Sequence, residues 1–396
     1  MSDILKPATD WELAGIIATF RDKRQPVEIC GAGSKRAIGR PMQTAVTVTT
    51  QSLRGITLYE PTELVMSARA GTPLSQIEAE LAARNQMLAF EPIDLGAAIG
   101  AEAGQQTIGA VFAANLSGPR RISAGAARDH LIGLKGVNGL AEEFKSGGRV
   151  MKNVTGYDVA RGLSGSWGTL AAITEVTFKV LPWPEDTVTL VYTGLTDELA
   201  TELMQAALGT AYEVSGTTHL SASLASRLRH DSLRSLGTSL TALRLENFPH
   251  ALAYRKEALR EQLKVAGFVK SVELDAHESA AFWGEMRRLS VLQSGRSLLW
   301  RISTKPGHAP KLVAAVRRHM EAEALYDWSG GLLWIELADE EIVRIYGKRW
   351  DIEVFFKMTK SYLSLAKEFQ GRSYDMMFAH VCPYYNRLCP LHHACH

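Results

Sequence analysis

Two glycine-rich stretches carry most of the chemistry legible in the chain. The first is Gly31-Ala32-Gly33-Ser34-Lys35, directly after the run Pro26-Val-Glu-Ile-Cys30. Glycines that follow a strand let backbone N–H groups approach an anionic group such as a pyrophosphate. The stretch does not fit the common dinucleotide fingerprint, because Arg36 stands where the third glycine belongs and no helical pattern starts there. It also lacks the Gly-Lys-Ser/Thr ending of a P-loop. A tight turn after a strand is the plain alternative. The second stretch opens at Thr107-Ile108-Gly109 and continues through Ala113-Ala-Asn115-Leu-Ser117-Gly118-Pro-Arg-Arg121 and Arg128-Asp129. It then runs through Gly147-Gly-Arg-Val-Met-Lys152-Asn-Val-Thr-Gly156-Tyr157-Asp158 to Gly165-Ser166-Trp-Gly168. Small residues such as Ala113 and Ala114 leave room for a flat ring.

Together these residues resemble the flavin domain of the vanillyl-alcohol-oxidase type, also called the PCMH-type FAD-binding domain. The Lys152–Asp158 stretch with Gly165-Ser166 after it is similar to the FAD-binding subunits of bacterial glycolate oxidases. The resemblance spans residues 5–338 and is densest over 26–182. It implies an α+β fold class: a PCMH-type two-subdomain FAD-binding domain followed by a smaller mixed α/β, ferredoxin-like cap domain. It implies FAD held by two glycine-rich loops. Gly31, Ala32, Gly33, Ser34 and Lys35 would be the first, against the pyrophosphate. Thr107, Ile108 and Gly109 would border the isoalloxazine and phosphates, and Asn115, Ser117 and Gly118 would continue that wall. Arg121 and Asp129 fall where the family contacts flavin or fixes the loop, and Ile173 falls on the adenine side. No histidine or cysteine aligns with a covalent flavin link, so the FAD is expected to be non-covalent. Lys152 reads either as a flavin contact or as a solvated strand-end charge. Tyr157 and Asp158 read as capping and packing residues.

Related catalytic flavoproteins carry a Gly-Glu-His-Gly element and metal-binding histidines, and no Glu-His-Gly occurs here. His219, His230, His250 and His277 are scattered singly, which suits surface or core positions better than ligands. No four-cysteine spacing could hold an iron–sulfur cluster. Catalytic residues are therefore not assigned and no metal is expected. The resemblance implies a redox subunit working with a catalytic flavoprotein subunit and an iron–sulfur subunit in 2-hydroxy acid oxidation. A flavin-free scaffold is an alternative. Trp283, Arg287, Arg288, Trp300 and Arg301 could line a carboxylate-facing surface. Arg301 sits on an expected strand among apolar residues, where it could pair a substrate carboxylate bidentately or bind a structural one.

These residues need elements to position them. Thr9-Asp-Trp-Glu12 reads as a capping box opening a helix that carries Trp11, Leu13, Ile16, Ile17 and Phe20 towards a core. Strands are expected at Pro26–Cys30, Ala45–Thr49, Thr57–Pro61, Leu64–Ala70 and Ala171–Pro182. Thr72-Pro73 reads as the cap and first turn of a helix bearing Leu74, Ile77 and Leu81. Beyond Pro182-Trp-Pro184 the texture alternates. Strands are expected at Asp186–Thr193, Ser239–Leu245, Leu298–Lys305 and Gly331–Leu337. Helices are expected at Asp197–Leu208, Ala251–Ala266 and Lys311–Ala324. This suits helices on one face of a sheet, with no internal repeat evident beyond that alternation. The domains are read as 1–182, flavin-binding, and 183–338, the cap.

From Asp339 the texture changes again. Tyr346-Gly-Lys-Arg349-Trp-Asp-Ile-Glu353 and Lys360 fit Tyr-x2-Arg-x3-Glu-x6-Lys, which resembles the signature of insertion-sequence transposases. On a helix Tyr346, Arg349 and Glu353 share a face. A lone carboxylate cannot organise two metal ions, so transposase activity is not expected, and a transposase fragment stands as the alternative function. Residues 339–380 read as a helical, foreign remnant and 381–396 as a disordered tail. The spacing of Cys382, Cys389 and Cys395 is not that of a structural zinc site. An Asn-Pro-Gly-Arg-Met-like element of the family is absent, and weakened FAD retention is expected.

Composition narrows the classes. Of 396 residues, 44 are Lys or Arg and 42 Asp or Glu, a balance that argues against nucleic-acid binding through bulk charge. The 46% hydrophobic content is enough for packed cores. No run is long and apolar enough for a transmembrane helix, and the N-terminus carries no secretory pattern. Four cysteines do not make a disulfide scaffold. The expected location is the cytoplasm, or the inner membrane through the partners.

Overall fold

The computed structural model describes residues 3–39, 43–148, 157–268, 270–292 and 297–338. The transposase-like signature, the Cys/His tail and Lys152–Gly156 lie outside them. The chain forms two compact units. Of the described residues, the first comprises 3–36, 43–96, 101–148 and 157–183, and the second 37–39, 97–100, 184–268, 270–292 and 297–338.

In the first unit, β1 (Asp3–Leu5), β2 (Val27–Cys30) and β3 (Val46–Thr49) make a parallel sheet of order β1-β3-β2. The helix Asp10–Asp22 buries Leu13 and Ile17 with Val46 and Val48. Trp11 does not join them and is 78% exposed. Two residues are about 200° on a helix, so Trp11 lies opposite the Leu13–Ile17 face. The capping box is half formed. Glu12 N donates to Thr9 Oγ1 at 3.1 Å, but the Glu12 carboxylate accepts from Ala8 N rather than Thr9 N.

β4 (Ile56–Glu60), β5 (Val65–Arg69), β7 (Leu131–Asn138), β8 (Glu143–Gly147) and β9 (Ala171–Lys179) build an antiparallel sheet of order β4-β5-β9-β7-β8. Short β6 (Gln86–Met87) pairs with β10 (Leu181–Pro182). The core holds Met66, Ala68, Val176 and Phe178 of this sheet. Against them pack Leu74, Ile77 and Leu81 of helix Leu74–Ala82, and Ile108, Val111 and Phe112 of helix Ile108–Ala114. Thr72 does not cap the first of these helices. Its hydroxyl donates to Arg69 O at 2.7 Å and accepts from Gly55 N at 3.0 Å, which fixes the turn before it.

The second unit is built on a seven-stranded antiparallel sheet. Its strands are β11 (Asp186–Thr193), β12 (Gly216–Leu220), β13 (Leu240–Asn247), β14 (Ser271–Leu274), β15 (Ser297–Ser303), β16 (Ala322–Asp327) and β17 (Leu332–Ala338). The order is β14-β11-β13-β12-β16-β17-β15. The first four strands, with helices Asp197–Leu208 and Pro249–Val265, follow β-α-β-β-α-β in spatial order 4-1-3-2, a ferredoxin-like unit. β15, helix Ala309–Arg317, β16 and β17 repeat its first half, again with the third strand between the other two. The halves join where β12 pairs with β16, His219 opposite Tyr326. The sequence shows no internal repeat beyond the alternation of strands and helices, and the half-repeat lies within that alternation. It is one of topology, which needs only the alternation of elements and no matching residues.

Three helices bury Leu203, Leu259 and Val313 on one sheet face. The helix Ala276–Arg288, missed in the sequence, covers the other. There Trp283 Nε1 donates to Thr189 Oγ1 at 2.9 Å, and Arg244 lies over the Trp283 ring. The helix expected over Lys311–Ala324 stops at Arg317, and Ala322–Asp327 is a strand. That segment pairs with a strand on each side and buries both its faces, so tertiary pairing decides its state.

Candidate functional site

A stack of backbone segments in the first unit brings the two glycine stretches together. The end of β2 lies beside the end of β3, where Thr49 Oγ1 donates to Gly31 O at 2.7 Å. Gly71 lies against Thr50 so closely that a β-carbon would sit 1.9 Å from Thr50 O. Residues 106–109 then run along 70–74. Gly109 N donates to Ala70 O at 2.9 Å, Ile108 N to Thr72 O at 2.9 Å, and Leu74 N to Gln106 O at 2.8 Å. Gly71 and Gly109 are glycines for this reason, since a Cβ on Gly109 would meet Ala70 backbone at 2.9 Å.

The result is a meeting point. A Cβ on Gly31 would lie 2.2 Å from Thr107 Oγ1, so the loops touch there. Gly33 has φ +77°, a turn that favours glycine. Arg36 anchors the end of this loop by a paired contact to the Glu28 carboxylate, which also accepts from Thr47 Oγ1 at 2.7 Å. Between these fixed ends Ser34 is buried, Ala32 is half-buried, and Lys35 Nζ reaches Gln106 Oε1 at 2.6 Å. Burial lowers the Lys35 ammonium to about 8, and the Asp94 charge acts the other way. The Thr107 hydroxyl is buried and, among the described residues, without a hydrogen-bond partner.

Other expected site residues fix the neighbouring loops or pack beside them. Asn115 takes φ +49° and its Oδ1 accepts from Arg128 N at 3.0 Å. Ser117 Oγ accepts from Ala127 N at 2.9 Å, and Asp129 Oδ2 from Ala126 N at 2.8 Å. The three side chains thus pin the segment 125–130. Gly118 N donates to Glu91 O at 2.7 Å, and a Cβ there would meet that oxygen at 2.5 Å. Arg121 is half-buried in the short helix Arg121–Ala124. Ile108 and Ile173 are core residues. Tyr157 is exposed, and Asp158 caps the helix Val159–Leu163. Arg301 belongs to the second unit, on β15, with its guanidinium 5.3 Å from the Trp328 ring and 5.7 Å from that of Trp334. Gln106, Asp94 and Glu91 were not singled out in the sequence. Asp94 accepts from Gly96 N at 3.0 Å and Gly104 N at 2.7 Å, and so braces the loop before Gln106. Glu91 accepts from Arg120 N at 2.8 Å. Only the Asp-x-Gly of residues 94–96 hinted at such a turn.

A family model described as an FAD binding domain matches residues 2–145. The chain is 34% identical to glycolate oxidase subunit GlcE of Escherichia coli (strain K12) over 324 residues, 80% of this chain and 78% of that one. It belongs to the GlcE family. Glycolate oxidase subunit GlcD of Bacillus subtilis (strain 168) is 26% identical over 48% of this chain, which spans only 38% of that protein. Among solved structures, p-cresol methylhydroxylase superposes with a TM-score of 0.68 at 12% identity, covering 87% of this chain and 77% of that one. The fold is therefore of the PCMH type, as expected from the resemblance. As a GlcE-family member the chain is an FAD-dependent oxidoreductase subunit, and its cofactor is FAD.

The meeting point fits that cofactor. It presents a cation, a buried hydroxyl with no partner among the described residues, and glycine backbone that a side chain would obstruct, all suited to an anionic dinucleotide.

Proposed function

We propose that this chain is the FAD-binding redox subunit of a complex that oxidises glycolate to glyoxylate, together with a catalytic flavoprotein subunit and an iron–sulfur subunit. The convergence of Lys35, Gln106, Thr107 and Gly31 carries the reading, and the 34% identity to GlcE supports the substrate and the assembly. When bound, FAD accepts and passes on electrons from the oxidation. The protein's part is to hold it. Lys35 supplies positive charge beside the diphosphate, and the Thr107 hydroxyl donates into the same place. The glycines at 31 and 33 let the backbone approach, Gly109 lets the facing loop pack on Ala70, and Asn115, Ser117 and Asp129 stiffen the wall beyond. Arg121 and Ile173 complete the flavin-side and adenine-side walls. The FAD is held without a covalent bond.

Arg301 is proposed as the group that pairs the substrate carboxylate, its guanidinium steadied by two tryptophan rings. The cytoplasm, or the inner membrane through the partners, is the location that goes with this reading. Residues 339–380 are proposed to be an insertion-element remnant, supported by the Tyr346, Arg349, Glu353 and Lys360 spacing. Genomic sequence across codon 338 tests this, and an uninterrupted reading frame of the family there contradicts it.

The function is tested by co-expressing the chain with its two partner subunits and following glycolate-dependent dye reduction. Activity that requires this chain, with FAD recovered from it after denaturation, is the expected result. Full activity without the chain, or a chain that takes up no FAD, would overturn the proposal.

A further inference from the structure

Lys35 is a half-buried cation, and among the described residues no carboxylate lies within ion-pair distance of it. Its ammonium is held instead by the neutral amide oxygen of Gln106, at 2.6 Å. The next residue is Thr107, itself 3% exposed, whose hydroxyl is buried, without a partner among the described residues, and in contact range of the Gly31 backbone. A cation and an idle hydroxyl thus meet at one glycine loop. Resting on the reading that this is the FAD site, we propose that Lys35 is the counter-charge for the flavin diphosphate and that FAD binding takes up a proton on its amine.

The surroundings set the sign. Gln106 and Thr107, from the facing loop, carry no charge. Asp94 acts on Lys35 from the preceding loop, but its two oxygens already accept from Gly96 N and Gly104 N. On Lys35's own loop Arg36 is engaged by Glu28, and the Cys30 thiol is pushed up by burial and by Glu28. Burial holds the Lys35 amine at about 8, against an ordinary value of 10.5. Above about pH 8 the free protein therefore carries a neutral amine. A bound diphosphate favours the charged form, so the complex regains the proton. Affinity then falls by up to about tenfold per pH unit between that value and the raised one in the complex.

Isothermal titration of the full chain with FAD, at pH 7 and pH 9 in buffers of different ionisation heat, measures this directly. Proton uptake close to one per FAD at pH 9, and near zero at pH 7, is expected. Lys35→Gln should abolish the uptake and weaken binding about tenfold at pH 7. Lys35→Arg, which stays charged, should keep the affinity and lose the pH dependence, and it serves if the glutamine variant fails to fold. Binding of FAD with no uptake at pH 9, or with the same uptake in Lys35→Arg, overturns the role of Lys35 while leaving the site intact. No FAD binding by the wild-type chain at any pH refutes the site itself.

Discussion

The ammonium of Lys35 and the amide oxygen of Gln106 lie 2.6 Å apart although 71 residues separate them in the chain. That contact, with the touch between Gly31 and Thr107, joins two loops that no local pattern links. The loops meet because β2, β3, Gly71 and residues 106–109 are laid side by side, each bonded to the next through backbone groups.

Thr107 should separate binding from stability. Its buried hydroxyl has no partner among the described residues, a cost that folding bears without flavin. Thr107→Val is expected to raise the stability of the FAD-free protein by about 1 kcal/mol and to weaken FAD binding about tenfold. Thermal unfolding without FAD and a fluorescence titration with it would show the opposite signs. A loss of both would mean the hydroxyl has a structural partner.

Gly109 and Gly118 should tolerate no side chain. A Cβ would lie 2.6 Å from the Ala70 side chain at the first and 2.5 Å from Glu91 O at the second. Each Gly→Ala change should cost about 1–3 kcal/mol, read as a lower urea midpoint, and should loosen flavin. The same change at Gly162, where nothing lies within 4 Å, is the control expected to unfold normally.

How far the residues announced this is uneven. The strand Asp186–Thr193 and the helix Asp197–Leu208 were readable to the residue, because alternation and capping are local. The loop at Gly31–Lys35 stood out because glycines after a strand are a local signal too. Gln106, Asp94 and Glu91 did not, since a buried polar residue looks like a loop residue until its distant partner is known. The β16 strand was hidden for a related reason: only its two neighbours make Ala322–Asp327 a strand. Trp11 misled because its size suggested a core role that its helix face denies it.

Asp197 ties the two half-repeats of the second unit together. Its Oδ2 accepts from Tyr326 OH at 2.8 Å and Arg317 Nη1 at 2.7 Å, and its Oδ1 lies 3.3 Å from His219 Nε2. Burial pushes its carboxyl up, but the His219 hydrogen bond, the Arg317 charge and the Tyr326 hydroxyl outweigh that and leave it below the ordinary value. A depressed carboxylate stabilises the fold above its unfolded-state pKa, and that stability is lost as pH falls through the folded-state value. Stability between pH 6 and pH 3 should therefore fall less steeply in Asp197→Asn than in the wild-type chain. Tyr326→Phe should cost about 1–2 kcal/mol at neutral pH. Denaturant midpoints across that range check both, and equal acid slopes would remove Asp197 from the account.

Arg301 distinguishes substrate binding from structure. In the assembled complex Arg301→Ala should raise KM for glycolate about tenfold or more with a smaller change in kcat. Unchanged kinetics would assign the Trp328–Arg301–Trp334 stack to packing alone.

The most direct test of where the flavin lies is amide hydrogen exchange of the whole chain with and without saturating FAD. Slower exchange in residues 30–36 and 105–118 together, on adding FAD, is the expected result. Saturation with FAD that leaves both segments unchanged, with protection confined to other parts of the chain, would contradict the site described above.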